Sequence, residues 1–415
     1  MIVHLFDWRI DLTAAIFLLT YAGIAAGHVR GTGLGRTGIT LIGAIAMLAV
    51  GAVSLDAAVQ FVNYPSILML FGLFLISAQL RLAGFYGWVA IWISSYLHRP
   101  AAFLLLLMTA SGVLSAFLNN DIVCAAFTPV VIAALTAKRI NPVPFLIALA
   151  ISSNIGCAAT VIGNAQNVLI GQIAHLGFAH YMAFALPPVA VSMLLAYGLI
   201  WGMCRKKLAM PGDWEIPLCG EVVLADRNQI LKGLFVTGVV VALYFTSYHR
   251  SIVTLAGGAL LLISKKLTSK RILSLIEWEV LLMFIGLFVI VGSFENTGLA
   301  QDGLQWLQRH GVHLENPFVL TLATGALSNL INNSAAVMLL VHFVDLTDPV
   351  TGYLLALANT FGGNLLMIGS VANIIVVKSA QDHGIQISFR EFARYGIPIA
   401  LASYAVLFLW ILARV

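Results

Sequence analysis

The chain contains 415 residues, of which 60% are hydrophobic and only 9% are charged. A soluble domain carries about 25% charged residues, so this composition excludes an ordinary cytosolic globular protein. A bilayer core of about 30 Å requires helices of roughly 20 mostly apolar residues, and such stretches recur along the chain. We therefore expect an all-α polytopic membrane protein. The net charge of +5 is attributed to membrane topology, and no nucleic-acid partner is expected.

Hydropathy divides the chain into two sets of five predicted crossings. The first set lies at residues 11–27, 37–54, 64–80, 145–170 and 183–203. The second set lies at residues 229–246, 251–264, 278–294, 351–377 and 395–413. The fourth crossing of each set carries Gly and amide residues near its centre, which predicts a discontinuous helix.

Two further kinds of segment separate the third and fourth crossings of each set. A weakly amphipathic stretch comes first, at residues 83–98 and 297–310. An apolar segment with a polar centre follows, at residues 101–136 and 317–343. Each such segment is long enough for two half-depth helices. We therefore predict a re-entrant hairpin, which a bilayer tolerates only where protein or water shields the bend.

The two sets have the sequence signature of a duplication. Residues 71–76, 114–120 and 161–167 match residues 285–290, 327–333 and 367–373, with shifts of 214, 213 and 206 residues in the same order. The predicted first repeat is residues 1–203 and the second is residues 229–415, joined by a polar cytoplasmic linker at 204–228. Because five crossings is an odd number, the second repeat must be inverted relative to the first.

The distribution of basic residues predicts the orientation. This topology places 18 of the 22 Lys and Arg residues on one face, which the positive-inside rule assigns to the cytoplasm. We therefore predict a multi-pass protein of the inner (plasma) membrane with both termini outside.

The hairpin tips and helix breaks are the predicted substrate site, because inverted repeats with broken helices usually bind substrate near the midplane. Amides supply hydrogen-bond donors and acceptors there, and Gly allows close backbone approach. An alternative is that the amides only cap the interrupted helices. The candidate substrate-binding residues are Asn119, Asn120, Asn154, Gly163, Asn164, Asn167, Asn332, Asn333, Ser334, Asn359, Thr360 and Asn364.

Asp121 is the only acidic residue far from a predicted membrane border, and an intramembrane acid is a functional candidate. We predict that it carries the coupling proton or cation, the alternative being a carboxylate that permanently caps a half-helix. Cys124 and Cys157 are candidate soft ligands for a metalloid, or buried packing residues. No metal site, cofactor or enzyme motif is predicted beyond a coupling H⁺ or Na⁺.

Two segments carry a resemblance to a known family. Residues 118–124 (LNNDIVC) and 153–167 (SNIGCAATVIGNAQN) resemble the ion transporter superfamily, in the branch of arsenite permeases, silicic-acid efflux transporters and NhaD-type antiporters. The resemblance implies a scaffold region, a mobile transport region with elevator-like movement, and coupling to a proton or sodium gradient. It also implies a cytoplasmic ATPase as a candidate partner. Ala165 replaces the usual Pro, and Asn332, Asn333 and Ser334 replace the Ser-Asn-Thr tip of sodium-coupled dicarboxylate members.

The expected function is proton-coupled efflux of a small metalloid oxyacid, namely arsenite, antimonite or silicic acid. The alternatives are a sodium/proton antiporter, a sodium-coupled di- or tricarboxylate transporter, and a passive channel, since half-depth hairpins also build selectivity filters. The expected partners are the substrate and the lipid bilayer, and a homodimer is a further alternative.

Overall fold

A computed structural model describes residues 8–27, 31–206 and 225–414, and every regular element in these ranges is helical. The first ten helices are α1 (Trp8–Ala26), α2 (Arg36–Ala49), α3 (Leu55–Phe61), α4 (Tyr64–Leu82), α5 (Phe85–Ser94), α6 (Pro100–Phe117), α7 (Asn120–Ala137), α8 (Val143–Cys157), α9 (Ala165–Ile173) and α10 (Phe178–Cys204). The next ten are α11 (Arg227–Leu243), α12 (Arg250–Leu262), α13 (Ser269–Leu273), α14 (Trp278–Glu295), α15 (Leu299–Arg309), α16 (Pro317–Ile331), α17 (Asn333–Phe343), α18 (Pro349–Gly362), α19 (Val371–Asp382) and α20 (Phe389–Arg414). A 3₁₀ turn, Met367–Gly369, lies between α18 and α19.

Seven of the described helices are long and apolar enough to cross a bilayer: α1, α4, α6, α7, α10, α14 and α20. The prediction of an all-α polytopic membrane protein is therefore confirmed. Two predicted crossings form helices shorter than a full bilayer span, since α2 has 14 residues and α12 has 13, which is about 20 Å of helix. The segment predicted as 37–54 ends early because Gly51 adopts a left-handed φ of 67° and Ser54 then caps α3.

The helix breaks lie where Gly and amide residues interrupt the apolar runs. The α6–α7 turn falls at residues 118–119 and the α16–α17 turn at Asn332. The predicted crossing at 145–170 is interrupted between Cys157 and Ala165, and the predicted crossing at 351–377 is interrupted between Gly362 and Val371. The first hairpin is longer than a half-depth element, because α6 and α7 have 18 residues each, about 27 Å.

The two halves of the chain pack against each other through equivalent small residues. Gly72 of α4 lies against the backbone of Thr254 in α12. Gly286 of α14 lies against Thr40 of α2 in the same way. Gly286 lies 214 positions after Gly72, and Thr254 lies 214 positions after Thr40. The Gly of each half therefore contacts the equivalent Thr of the other half, as expected of two related copies. Small residues at such crossings let helices approach closely in a membrane.

The predicted linker at 204–228 lies largely outside the described residues, which omit 207–224. At its described end, the Asp226 side chain caps α11 by accepting hydrogen bonds from the backbone N–H groups of Asn228 and Gln229. Asp226 also forms an exposed ion pair with Lys266 at 2.6 Å. The start of the second half is therefore held by local polar contacts.

Candidate functional site

The two hairpin tips and the two helix breaks surround one small polar cavity. Its volume is about 10 Å³, which is close to the minimum needed for one water molecule. It is lined by Asn120, Asp121, Asn154, Asn164, Gln166, Asn333, Thr360, Ser370 and Val371. We call this the central cavity. Six of its nine lining residues are among the predicted candidates.

Asn154 lies at the centre of the hydrogen-bond network around this cavity. Its Oδ1 accepts from Asn120 Nδ2 at 3.2 Å and from Ser370 Oγ at 3.0 Å. Its Nδ2 donates to Asn364 Oδ1 at 3.0 Å and to Asn373 Oδ1 at 2.9 Å. An amide has two N–H groups and two main acceptor directions, so the protein itself satisfies all four. Asn154 therefore joins the first hairpin to the second helix break.

Asn167 and Asn373 brace the two helix breaks in the same way. Asn167 Nδ2 donates to the carbonyls of Cys157 and Thr160, at 3.2 and 3.0 Å. Asn373 Nδ2 donates to the carbonyls of Gly363 and Leu366, at 2.8 and 3.3 Å. Cys157 ends α8 and Gly363 directly follows α18, where helix carbonyls lose their intrahelical donors. Each amide therefore stabilises the conformation of its helix break. In both halves the two carbonyls that accept from the amide lie 10 and 7 residues before it in the sequence.

Asn119 and Asn332 act as helix caps at the two hairpin tips. Asn119 Oδ1 accepts from the backbone N–H groups of Asp121 and Ile122, at 2.7 and 3.3 Å. Asn332 Oδ1 accepts from the Ser334 N–H at 2.8 Å. The backbone of Asn332 has φ 84° and ψ 147°, which lies outside the left-handed helical region that Asn commonly adopts. For these two positions the structure shows the capping that the sequence left as an alternative.

Polar contacts between the halves close the remaining sides of the central cavity. Gln166 Nε2 donates to Ser334 Oγ at 2.7 Å, and Asn164 Nδ2 lies 3.4 Å from Thr360 Oγ1. The Gly163 carbonyl accepts from the Asn120 N–H at 3.3 Å, and a Cβ at Gly163 would overlap the backbone of Cys157. Gly163 is therefore needed for the tight backbone path within the first helix break.

Several amide groups of the second half keep unused hydrogen-bonding capacity. Asn359 is fully buried and neither of its side-chain polar atoms has a partner in the described structure. Asn333 Oδ1 and Asn364 Nδ2 are likewise buried without a partner. Leaving a buried polar group unpaired costs about 1–3 kcal/mol. Asn333 also lines the central cavity, so one of these unpartnered amides lies beside the site.

Asp121 lies between the central cavity and a larger pocket. The larger pocket has a volume of about 530 Å³ and is also lined by Arg81 and Glu277; we call it the Glu277 pocket. The Asp121 side chain is half-buried, and within the described residues its carboxylate accepts no hydrogen bond. Capping of α7 is performed by Asn119, so the carboxylate remains free to bind a proton or a solute.

Glu277 precedes the first residue of α14 and is half-buried. Burial raises the pKa of Glu277 well above its usual range, the charge of Asp121 raises it further, and Arg81 opposes both. The Glu277 pocket is therefore lined by two acids, Asp121 and Glu277, together with Arg81.

The two candidate cysteines do not line the central cavity. Cys124 and Cys157 are buried and free of disulfides. Cys157 Sγ donates to the Asn154 carbonyl and accepts from Asn164 Nδ2, both at 3.1 Å. Within the described ranges no group of three or more His, Cys, Asp or Glu side chains could hold a metal ion. The geometry thus places these thiols behind the site, as packing and bracing residues.

Four residues that build the site are not among the candidate site residues predicted from the sequence: Gln166, Ser370, Val371 and Asn373. All except Gln166 lie in or directly beside the segment 367–373 that matches 161–167. Asn373 is the equivalent of the predicted Asn167, and Ser370 is the equivalent of the predicted Asn164. Transferring each candidate to its repeat-related position would have identified both residues.

Comparison with known proteins places the whole chain among membrane transporters. A family profile described as "CitMHS: Citrate transporter" matches residues 18–355. A 46 kDa membrane protein of Mycobacterium leprae is 29% identical, over 96% of this chain and 98% of that protein. A putative transporter arsB of Dictyostelium discoideum is 22% identical, over 95% and 89%. The crystal structure of the Alcanivorax borkumensis YdaH transporter, described as having an unusual topology, shares the fold with a TM-score of 0.56, at 14% identity over 97% of this chain and 98% of that one.

Proposed function

This chain belongs to the citrate transporter family, and from that premise we propose that it exports a small metalloid hydroxide in exchange for protons. The chain is a multi-pass membrane transporter and not an enzyme, and it falls within the superfamily that its motifs resemble. Arsenite, antimonite and silicic acid are the proposed substrates. The observation that carries the proposal is the lining of the central cavity. Apart from Val371, it consists of amides, hydroxyls and one carboxylate, and it includes no Lys or Arg among its described residues.

The chemistry of the central cavity favours a neutral solute rich in hydroxyl groups. Each hydroxyl donates one hydrogen bond and accepts others, and amides such as Asn333 offer both kinds of partner. A free di- or tricarboxylate would enter this cavity without a cationic side chain beside it. An unpaired buried charge costs far more than a hydrogen-bonded neutral group.

Asp121 is the proposed site of proton coupling. As a carboxylate it would accept a hydrogen bond from a hydroxyl of the solute, and as a carboxylic acid it would lose that acceptor strength. Solute and proton would then compete for one group, so that the transport region crosses the membrane loaded with one or the other. A shift between two states by a ligand requires this difference in affinity. The position of Asp121, lining both the central cavity and the Glu277 pocket, supports the role.

A second candidate is the transport of citrate or a related carboxylate together with a cation. The description of the matching family favours it. The cation would have to supply the positive charge that the described lining of the central cavity lacks. On this reading Asp121 would contribute to binding the cation, and sodium would be the first ion to test.

The proposed location is the inner (plasma) membrane with both termini outside, on the basis of the predicted segregation of Lys and Arg. In this orientation Arg81 and the Glu277 pocket would face the cytoplasm. Solute would enter from there for export.

The test is solute uptake into everted membrane vesicles with and without an imposed proton gradient. Arsenite, silicic acid and citrate are compared, citrate with and without sodium, for wild type, Asp121→Asn and the exposed control Asp345→Asn. We expect gradient-driven accumulation of arsenite or silicic acid that is lost in Asp121→Asn and kept in the control.

Three other outcomes would contradict this proposal. Movement of citrate alone, dependent on sodium, would select the second candidate. Movement of sodium without solute would indicate a sodium/proton antiporter. Flux that only follows the solute gradient would indicate a channel.

A further inference from the structure

A second large cavity lies at the opposite end of α4 from the Glu277 pocket. It has a volume of about 550 Å³ and includes Asn63 and Pro65, at the start of α4, whereas Arg81 is near the end of that helix. The 19 residues of α4 span about 28 Å. The two cavities therefore open toward opposite faces of the membrane. We call this second one the basic cavity, after its lining residues His175, His180, His249 and Arg250.

The basic cavity collects hydrogen-bond donors from two helix N-termini. Residues Phe178 to His180 begin α10, and Arg250 and Ser251 begin α12. Neither helix has a side-chain cap, because the residues before them are Gly177 and His249, which make no capping hydrogen bond. The free N–H groups and the helix dipoles of both first turns favour a negative charge nearby.

The side chains of the basic cavity reinforce this preference. Arg250 is half-buried, and its Nη1 atom is buried without a hydrogen-bond partner in the described structure. No Asp or Glu occurs among the described residues that line the cavity. The three histidines lie exposed at its rim, and each imidazole carries at least one N–H donor. A guanidinium without a countercharge is the group that an oxyanion would satisfy, because its fork binds carboxylate and phosphate with two parallel hydrogen bonds.

We propose that the basic cavity binds an oxyanion, through a carboxylate or phosphate group, on the face of the membrane opposite the Glu277 pocket. Arg250 supplies the charge, and the first turns of α10 and α12 supply backbone donors. This site is separate from the central cavity, so the inference goes beyond the proposed function and does not depend on it. A carboxylate or phosphate group could come from a free anion or from a lipid headgroup.

The experiment is calorimetric titration of the purified full chain in phosphatidylcholine nanodiscs with citrate and with inorganic phosphate. Wild type is compared with Arg250→Gln, with His249→Ala at the exposed rim, and with the control Arg309→Gln, an exposed Arg on α15. We expect binding that weakens at high salt, is at least about tenfold weaker in Arg250→Gln, and is unchanged in the control. Monodisperse elution from a size-exclusion column shows whether each variant is folded. If Arg250→Gln does not fold, weaker anion binding by His249→Ala than by wild type tests the proposal instead.

Repeating the titration in discs containing phosphatidylglycerol identifies the source of the oxyanion. Weaker binding of citrate and phosphate there supports the site and assigns it to a lipid headgroup, since the lipid competes. Unchanged binding supports a free anion. Absence of binding by folded wild type in both kinds of disc, or equal losses in Arg250→Gln and Arg309→Gln, would overturn the proposal.

Discussion

Replacement of Asn154 by Ala should destabilise the packing of the two halves more than replacement of any other buried Asn by Ala. The change removes four hydrogen bonds, to Asn120, Ser370, Asn364 and Asn373. Hydrogen bonds between helices in membranes contribute about 0.6 kcal/mol on average, and a typical bond in a protein about 1 kcal/mol. Four bonds therefore amount to roughly 2–4 kcal/mol. A matching loss of stability is expected even before transport is measured.

The assay is thermal unfolding of purified protein in detergent, followed by tryptophan fluorescence, with solute uptake measured in parallel. Ser111→Ala is the matched control, because Ser111 is fully buried and joins α6 to α8 by a single bond to Ser152 Oγ at 2.6 Å. The decrease in Tm should be several times larger for Asn154→Ala than for Ser111→Ala. Uptake should fall only in Asn154→Ala, since Ser111 does not line the central cavity.

A double-mutant cycle between Asn154 and Asn373 tests the cause. If their 2.9 Å hydrogen bond stabilises the fold, the loss of stability in the double variant should be smaller than the sum of the losses in the two single variants. Strictly additive losses, or a Tm decrease in Asn154→Ala no larger than in the Ser111→Ala control, would refute the account of Asn154 as the central link.

Two other predictions concern packing and charge. Gly156→Ala should lower both the yield and the Tm of folded protein, because the added Cβ would overlap the backbone of the facing helix α6, whereas Gly198→Ala, with open space around it, should lower neither. Glu277→Gln should raise the Tm relative to wild type more at pH 8 than at pH 5. The folded-state pKa of Glu277 is raised by burial and by Asp121, so wild type loses stability as the pH rises above the unfolded value of about 4.3. An equal Tm difference at both pH values would show that Glu277 is not the titrating group.

Local features of the sequence were sufficient to locate the helix interruptions. Amides and Gly stand out within apolar runs, and an apolar helix cannot continue through them in lipid without new partners for its backbone. The breaks near residues 119, 160 and 332, and the one beyond Gly362, follow from that pattern. The repeated segments also indicated which breaks correspond, and this correspondence extends to the bracing by Asn167 and Asn373.

The role of each amide was decided by tertiary structure alone. An Asn side chain can cap a helix, bridge two elements or bind a solute with the same atoms, and its neighbours along the chain do not determine which. Asn119 caps because backbone N–H groups lie beside it, and Asn154 bridges because partners more than 200 residues away converge on it. The basic cavity could not be predicted from the sequence for the same reason, since its lining comes from three separate stretches near residues 64, 176 and 248. Only the fold brings these stretches together, and distance in space, not order along the chain, sets their electrostatic interaction.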